Sequence, residues 1–159
     1  MFIKMRKKST KDIPAICGVN LERYLGKWYE VARFPHTFER GLQNVTATYS
    51  LQSNGKIKVI NAGYRGSVKS LAEGYAWIPD KNCTGELLVS FFWPIRSKYR
   101  IIKLDKENYR YAVVTSNSKN YLWILCRDPH ISESIYKELV NFISANGFDK
   151  SKIIRVSQE

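Results

Sequence analysis

Eight short stretches rich in β-branched and aromatic residues, near 27–34, 45–51, 57–64, 69–77, 86–93, 99–104, 111–115 and 121–127, follow one another along this chain, and such stretches read as strands. All five prolines, Pro14, Pro35, Pro79, Pro94 and Pro129, fall between the stretches and never inside one. A residue without a backbone donor has to be placed that way where strands pair. Val45, Ala47, Tyr49 and Leu51 alternate with Thr46, Thr48 and Ser50, which makes one face of the second stretch apolar. The following Ser53-Asn54-Gly55-Lys56 predicts a tight hairpin turn with positive φ at both Asn54 and Gly55. Past it, Ile57 and Val59 alternate with lysines and then Ile60, Ala62 and Tyr64 change parity, which predicts a bulge or bend near residue 60.

Stretch 121–127 is apolar on both sides, with Tyr121, Trp123 and Leu125 on one and Leu122, Ile124 and Cys126 on the other. A strand wet on one face would not have that pattern. Just after it comes the one segment that reads as a real helix. Ser132 caps it, Glu133 suits its positive end, Ile135, Leu139, Phe142 and Ile143 form one stripe, and Gly147 stops it. The two observations together place the helix outside the sheet, over the second apolar face. Residues 153–156 predict a further edge strand, and residues 35–44 form the longest loop of the strand region, long enough to act as a lid or to be a plain connection.

At 159 residues, with 44% hydrophobic and 25% charged, the chain has the balance of one ordinary domain. No run reaches the eighteen apolar residues of a spanning helix. Lys and Arg number 26 against 14 Asp and Glu, a formal +12, so nucleic acid, an anionic membrane face and an acidic ligand all have to be weighed. The concentrated part of that charge, Lys4, Arg6, Lys7, Lys8 and Lys11, lies in a segment, 1–18, that reads as a flexible basic tail ahead of a domain spanning 19–159. Five charges without interleaved aromatics give weak, salt-sensitive attraction to phosphates and no specific nucleic-acid partner. An anionic bilayer offers about 1 kcal/mol per basic residue, which makes an acidic lipid surface the partner this charge favours. A basic module for nucleic acid or anionic surfaces, with a filled barrel, stands as the alternative.

The N-terminus is basic but lacks the apolar stretch of a signal peptide. From the residues alone the expected compartment is the cytoplasm, and acylation of Cys17 is not expected. Cys17, Cys83 and Cys126 are an odd count, so at least one is unpaired. No disulfide framework is expected, and Cys126, among apolar neighbours, reads as a small buried hydrophobe. The two histidines, His36 and His130, stand in loops away from any nucleophile, and no HExxH, paired CxxC, Walker loop or dinucleotide fingerprint occurs. The expectation is therefore no catalytic residues, no metal and no cofactor. Glu30 and Glu73 lie within strands, where an inward carboxylate would serve a hydrogen bond on a barrel floor as readily as acid–base work.

Gly26-Lys27-Trp28-Tyr29-Glu30-Val31-Ala32-Arg33 and, about a hundred residues later, Tyr121-Leu122-Trp123-Ile124-Leu125-Cys126-Arg127 resemble the signature of the lipocalins. The resemblance runs from Leu21 onward through FERGLQNVTATYSL, GKIKVINAGY, EGYAW, LLVSFFWP and GFDKSKI, and is to bacterial outer-membrane lipoproteins of the family and to apolipoprotein D in particular. It implies an all-β fold, an eight-stranded antiparallel up-and-down barrel with one C-terminal helix packed outside. It puts Trp28 and Arg127 at the closed end as a plug, where a guanidinium over an indole gains about 0.5–2 kcal/mol.

With Tyr49 inside, alternation makes Val45, Ala47, Tyr49, Leu51, Ile57, Val59, Asn61, Leu87, Val89, Phe91, Tyr121, Trp123 and Leu125 the expected lumen, a set without a formal charge. The ligand-binding set is Tyr49, Asn61, Phe91, Trp123, Val89 and Leu125, an apolar wall with few polar handles. The function implied is non-catalytic binding of a lipid or other hydrophobic small molecule, such as a fatty acid or lysophospholipid, for lipid storage, transport or membrane maintenance. By resemblance the location is the outer membrane or periplasm.

Overall fold

The computed structural model describes residues 8–159. The basic residues expected to act from Lys4, Arg6 and Lys7 lie outside the described residues. A one-turn helix α1 (Leu21–Tyr24) leads into eight strands: β1 (Gly26–Arg33), β2 (Gln43–Leu51), β3 (Ile57–Arg65), β4 (Val68–Trp77), β5 (Glu86–Phe92), β6 (Ile95–Leu104), β7 (Tyr111–Thr115) and β8 (Leu122–Cys126). The helix α2 (Glu133–Ala145) and a short strand β9 (Ile154–Arg155) complete the chain. Every pairing is antiparallel, each of β1 to β8 pairs with its neighbour in sequence, and β1 also pairs with β8, which closes the sheet into an up-and-down barrel. The short β9 lies along Ala32 and Arg33 of β1.

Alternation builds two cores. Inward residues Trp28, Ala47, Tyr49, Ile57, Val59, Ala76, Leu87, Ile101 and Leu125 form the barrel interior. Outward residues Ala32, Val113, Leu122, Ile124 and Cys126 meet α2, whose Leu139 and Ile143 are fully buried against them. The Ser132 side chain accepts from the Ile135 amide at 3.3 Å and starts the helix, as the sequence pattern predicts. β8 is apolar on both faces because it belongs to both cores.

Four expectations are corrected. In the β2–β3 hairpin only Gly55 takes positive φ, at 83°. The Gln52 amide donates to the Lys56 carbonyl, so three residues turn the chain and the last alone is left-handed, a loop that Asn54 enters with ordinary φ. The bulge lies not at residue 60 but on β2, where Asn44 has φ 53° and the β2–β3 register shifts between Gln43 and Thr46. β3 pairs with β4 without interruption from Ile57 to Arg65, so Ile60, Ala62 and Tyr64 are outward residues that happen to be apolar.

The N-terminal segment is the third. Residues 8–18, expected to be loose, lie along the barrel. Ser9 bridges to Ser118, the Ile16 amide donates to the Ile101 carbonyl at 2.8 Å, and Thr10 and Ile13 are buried. Buried Arg100 on β6 donates to the carbonyls of Thr10 and Ile13 at 2.6 and 2.7 Å. Last, Cys17 and Cys83 form a disulfide. An odd count required one free thiol and excluded nothing more. Cys126 is that buried free thiol.

Candidate functional site

The closed end is organised by Arg127, which follows β8. Its guanidinium lies 3.9 Å over the Trp28 ring and donates to the carbonyls of Lys27, Arg23, Tyr24 and Leu25 at 2.7–3.0 Å. One planar cation thus collects the acceptors left open at the end of α1. The Trp28 Nε1 donates to the same Tyr24 carbonyl at 2.8 Å. Gly26 has φ 96°, and a β-carbon there would lie 3.5 Å from Arg127 Nη1. This is the physical content of the Gly-x-Trp pattern: a left-handed residue turns the chain beneath the guanidinium.

Above this plug the interior is filled. The Tyr99 hydroxyl lies 2.6 Å from that of Tyr24 and 2.8 Å from that of Tyr49, so three phenols share hydrogen bonds in the middle of the barrel. Burial pushes all three well above the usual tyrosine range and keeps them neutral.

In the half of the barrel toward the β1–β2 loop the inward residues change character. Asn61, Val89, Phe91, Tyr99 and Trp123 are half-buried, and Ala72 on β4 and Ser97 on β6, inward by alternation, are exposed. The reason is local. β4 and β5 pair only over Tyr75–Trp77 with Leu88–Ser90, and beyond Gly74 they part. The β5–β6 tip carries Trp93 to 6.1 Å from Trp77, with Lys56 over both rings. The barrel is therefore a solid lower half under a solvent-reached, mostly apolar trough.

This geometry sorts the expected residues. Val89, Phe91 and Trp123 border the trough on the same apolar cluster, while Tyr49 and Leu125 belong to its packed floor. Asn61 sits between Ala47 and Ala72 in the sheet. Two lumen candidates fall elsewhere: Leu51 is exposed at the end of β2 and Tyr121 is exposed ahead of β8. Val45, beside the β2 bulge, is buried with Leu42 and Val156, against the inward side of Gly63. Strand ends escape alternation because the chain there is already turning.

The interior is also not free of charge. Glu30 and Arg33 on β1 are both buried, whereas Glu73 is on the outside, 3.2 Å from Lys58. The β1 loop 34–42 folds over this pair. Arg33 donates to the Glu39 carbonyl at 2.6 Å and to Leu42 and Glu30 at 3.4 Å. The Glu39 side chain turns inward, accepting from Trp123 Nε1 at 2.9 Å and lying 2.7 Å from His36 Nε2. Burial opposes its charge, but hydrogen bonds from His36, Glu30 and Trp123 prevail and hold the carboxyl at about 2. Burial, then the nearby Glu39, pushes Glu30 well above the carboxylate range, which favours its neutral form.

An inward cation at position 33 is invisible to alternation from Trp28, because a register shift between Glu30 and Ala32 reverses the faces. Arg33, Glu39, Tyr24 and Tyr99 are the residues that sequence reasoning missed; polar residues at both ends of a loop covering an apolar cup are the only sequence signal that could have flagged the first two.

A closed eight-stranded antiparallel barrel, plugged by Arg127 over Trp28 and backed by one C-terminal helix, is the lipocalin architecture, and residues 19–158 match the lipocalin-like domain family. The chain belongs to that family. It is 44% identical over 151 residues to outer membrane lipoprotein Blc of Escherichia coli strain K12, covering 93% of this chain and 84% of that protein. It is 41% identical to Blc of Vibrio cholerae, covering 94% and 88%, and 35% identical to apolipoprotein D of Macaca fascicularis, covering 86% and 76%. Among solved structures it superposes on insecticyanin from the tobacco hornworm Manduca sexta with a TM-score of 0.75 at 21% identity, over 92% of this chain and 84% of that one.

Proposed function

We propose that this lipocalin binds a single-chain lipid, a fatty acid or lysophospholipid, in the trough above the tyrosine floor, and serves lipid storage, transport or membrane upkeep without catalysing a reaction. The observation that carries this is the change along the barrel axis from buried to half-buried inward residues, which leaves Val89, Phe91 and Trp123 as an apolar wall only partly covered by its neighbours. Burying about ten methylenes at about 0.8 kcal/mol each offers about 8 kcal/mol. Association costs of roughly 4 kcal/mol reduce that to millimolar affinity from the chain alone, so headgroup contacts have to supply the rest. The test is tryptophan fluorescence titrated with a monounsaturated fatty acid, together with mass identification of lipids that co-purify. Narrowing the wall with Val89→Trp is expected to weaken binding at least tenfold. A parent that binds no lipid, or a variant that binds equally well, overturns the reading.

The same face supports contact with an anionic bilayer. Val68, Leu71, Phe92, Trp93 and Ile95 are 63–74% exposed around the parted β4–β5 wall, and Lys69 and Arg96 stand exposed among them. Apolar side chains beside cations suit an acidic lipid surface. An outer-membrane or periplasmic location fits the names of the bacterial relatives. Co-sedimentation with anionic and neutral vesicles at low and moderate salt tests the contact; equal recovery on both refutes it.

A further inference from the structure

The Glu39 carboxylate is held as a ligand would be. It comes from outside the barrel, from a loop, and is received by donors on three different segments: Trp123 Nε1 on β8, His36 Nε2 at the loop start and, 3.9 Å away, Arg33 Nε on β1. The reception is incomplete. Arg33 Nε, buried in a side chain that is only 2% exposed, has no hydrogen-bond partner. A buried guanidinium with one N–H unfilled, 3.9 Å from the carboxylate it faces, is an anion site occupied by an imperfect guest. Trp123 joins this donor set to the trough, since its ring borders the same apolar cluster as Val89 and Phe91. A solvent-open hollow of about 240 Å³, lined by Pro35, His36, Thr37, Asn120 and Tyr121, lies beside the loop.

Charge counting fixes what can replace Glu39. The groups facing the site are Arg33, Glu39, Glu30, His36, Trp123 and, from β2, Tyr49. Arg33 faces two carboxyl groups, Glu30 at 3.4 Å and Glu39 at 3.9 Å, and burial together with the nearby Glu39 favours the neutral form of Glu30, which leaves Glu39 as the main counter-charge. A buried cation has to stay paired, so a neutral head in this place would strand Arg33, and a second anion beside Glu39 would overload it.

Resting on the lipid-binding reading above, we infer that Glu39 stands in for the acidic headgroup of the ligand, and that an acyl-chain lipid bearing a carboxylate or phosphate loads by exchanging one-for-one with the Glu39 side chain on Arg33 and Trp123, which releases the loop 35–42. Loading and loop release are then one event, and neutral lipids of the same length gain nothing from the site.

Oleate, oleyl alcohol and acetate are the probes, with two readouts on the full chain. In the parent, saturating oleate is expected to speed tryptic cleavage at Arg40–Gly41 at least fivefold, while oleyl alcohol and acetate leave it unchanged. In Glu39→Gln, which removes the competing charge but keeps its size, oleate is expected to bind at least tenfold more tightly and oleyl alcohol within twofold of the parent. If oleate and oleyl alcohol bind the parent yet neither readout separates them, the exchange is overturned and lipid binding stands. If acetate alone releases the loop, the site takes free anions and the lipid-headgroup assignment is overturned. If no probe binds parent or variant, both the exchange and the lipid-binding reading are overturned.

Discussion

Replacing Arg127 by alanine removes a single side chain that does two jobs at the closed end. The Trp28 ring loses a cation at 3.9 Å, worth about 0.5–2 kcal/mol at a half-covered site. Four carbonyls at 2.7–3.0 Å lose a charged donor. Hydrogen bonds to charged groups contribute about 1.5–3 kcal/mol each when nothing replaces them, but the carbonyls of Arg23 and Lys27 are near solvent and regain water. The Tyr24 carbonyl keeps the Trp28 Nε1 donor, so counting Leu25 at the low end and the ring contact at about 1 kcal/mol, the expected loss is about 2.5 kcal/mol. For a chain of this size that corresponds to a fall in Tm of roughly 5–10 °C. Arg127→Lys keeps a charge over the ring but cannot fork to several carbonyls, and is expected to lose about half as much.

The assay is urea unfolding followed by far-UV circular dichroism, with the cycle Arg127→Ala, Trp28→Phe and both together. The cycle is expected to return a coupling of about 1 kcal/mol, because a phenyl ring holds the cation less well. A loss below about 0.5 kcal/mol for Arg127→Ala would refute the claim that this guanidinium closes the barrel. A full loss with no coupling would assign closure to the carbonyls alone.

Other outcomes follow from separate parts of the fold. Cys17–Cys83 spans 66 residues, so Cys83→Ser is expected to cost up to about 4 kcal/mol through loop entropy; a urea midpoint unmoved by reductant would contradict it, and thiol titration in denaturant should find one thiol before reduction and three after. Leu139, fully buried between α2 and the barrel, should cost about 3 kcal/mol on truncation to alanine, measured by the same unfolding assay, and a cost under 1 kcal/mol would mean that the helix is not held by this contact.

The pH dependence has a defined sign. Glu39 is held at about 2, below its usual 4.5, so its stabilisation is complete above the usual range and is lost as pH falls from about 4.5 toward 2. Glu30 is raised, so its effect runs the other way: the native state is favoured while the group is protonated, and the advantage fades as pH rises above the usual carboxylate range. Parent protein should lose more stability than Glu39→Gln between about pH 5 and about pH 3; parallel losses would show that Glu39 is not charged in the native state.

The eight strands, the capped helix and its place outside the barrel were legible along the chain, and the pairing of Trp28 with Arg127 through the resemblance to the lipocalins. Periodicity reports which face of a strand is dry, and β8, apolar on both faces, can sit only between two cores. What alternation could not carry were the places where the chain departs from a regular period. The shift in β1 between Glu30 and Ala32 turned Arg33 inward, the bulge at Asn44 set Val45 against Leu42 and Val156, and the parting of β4 from β5 opened half of the interior while the tyrosines filled the rest.

Glu39 reaches Trp123 across 84 residues of sequence, and Arg100 reaches Thr10 across 90. Local pattern determines which surfaces must leave water, because burial of apolar area acts residue by residue. Only the closed barrel decides which charges become neighbours, because pairing a buried ion depends on three-dimensional distance and on nothing that neighbouring residues encode.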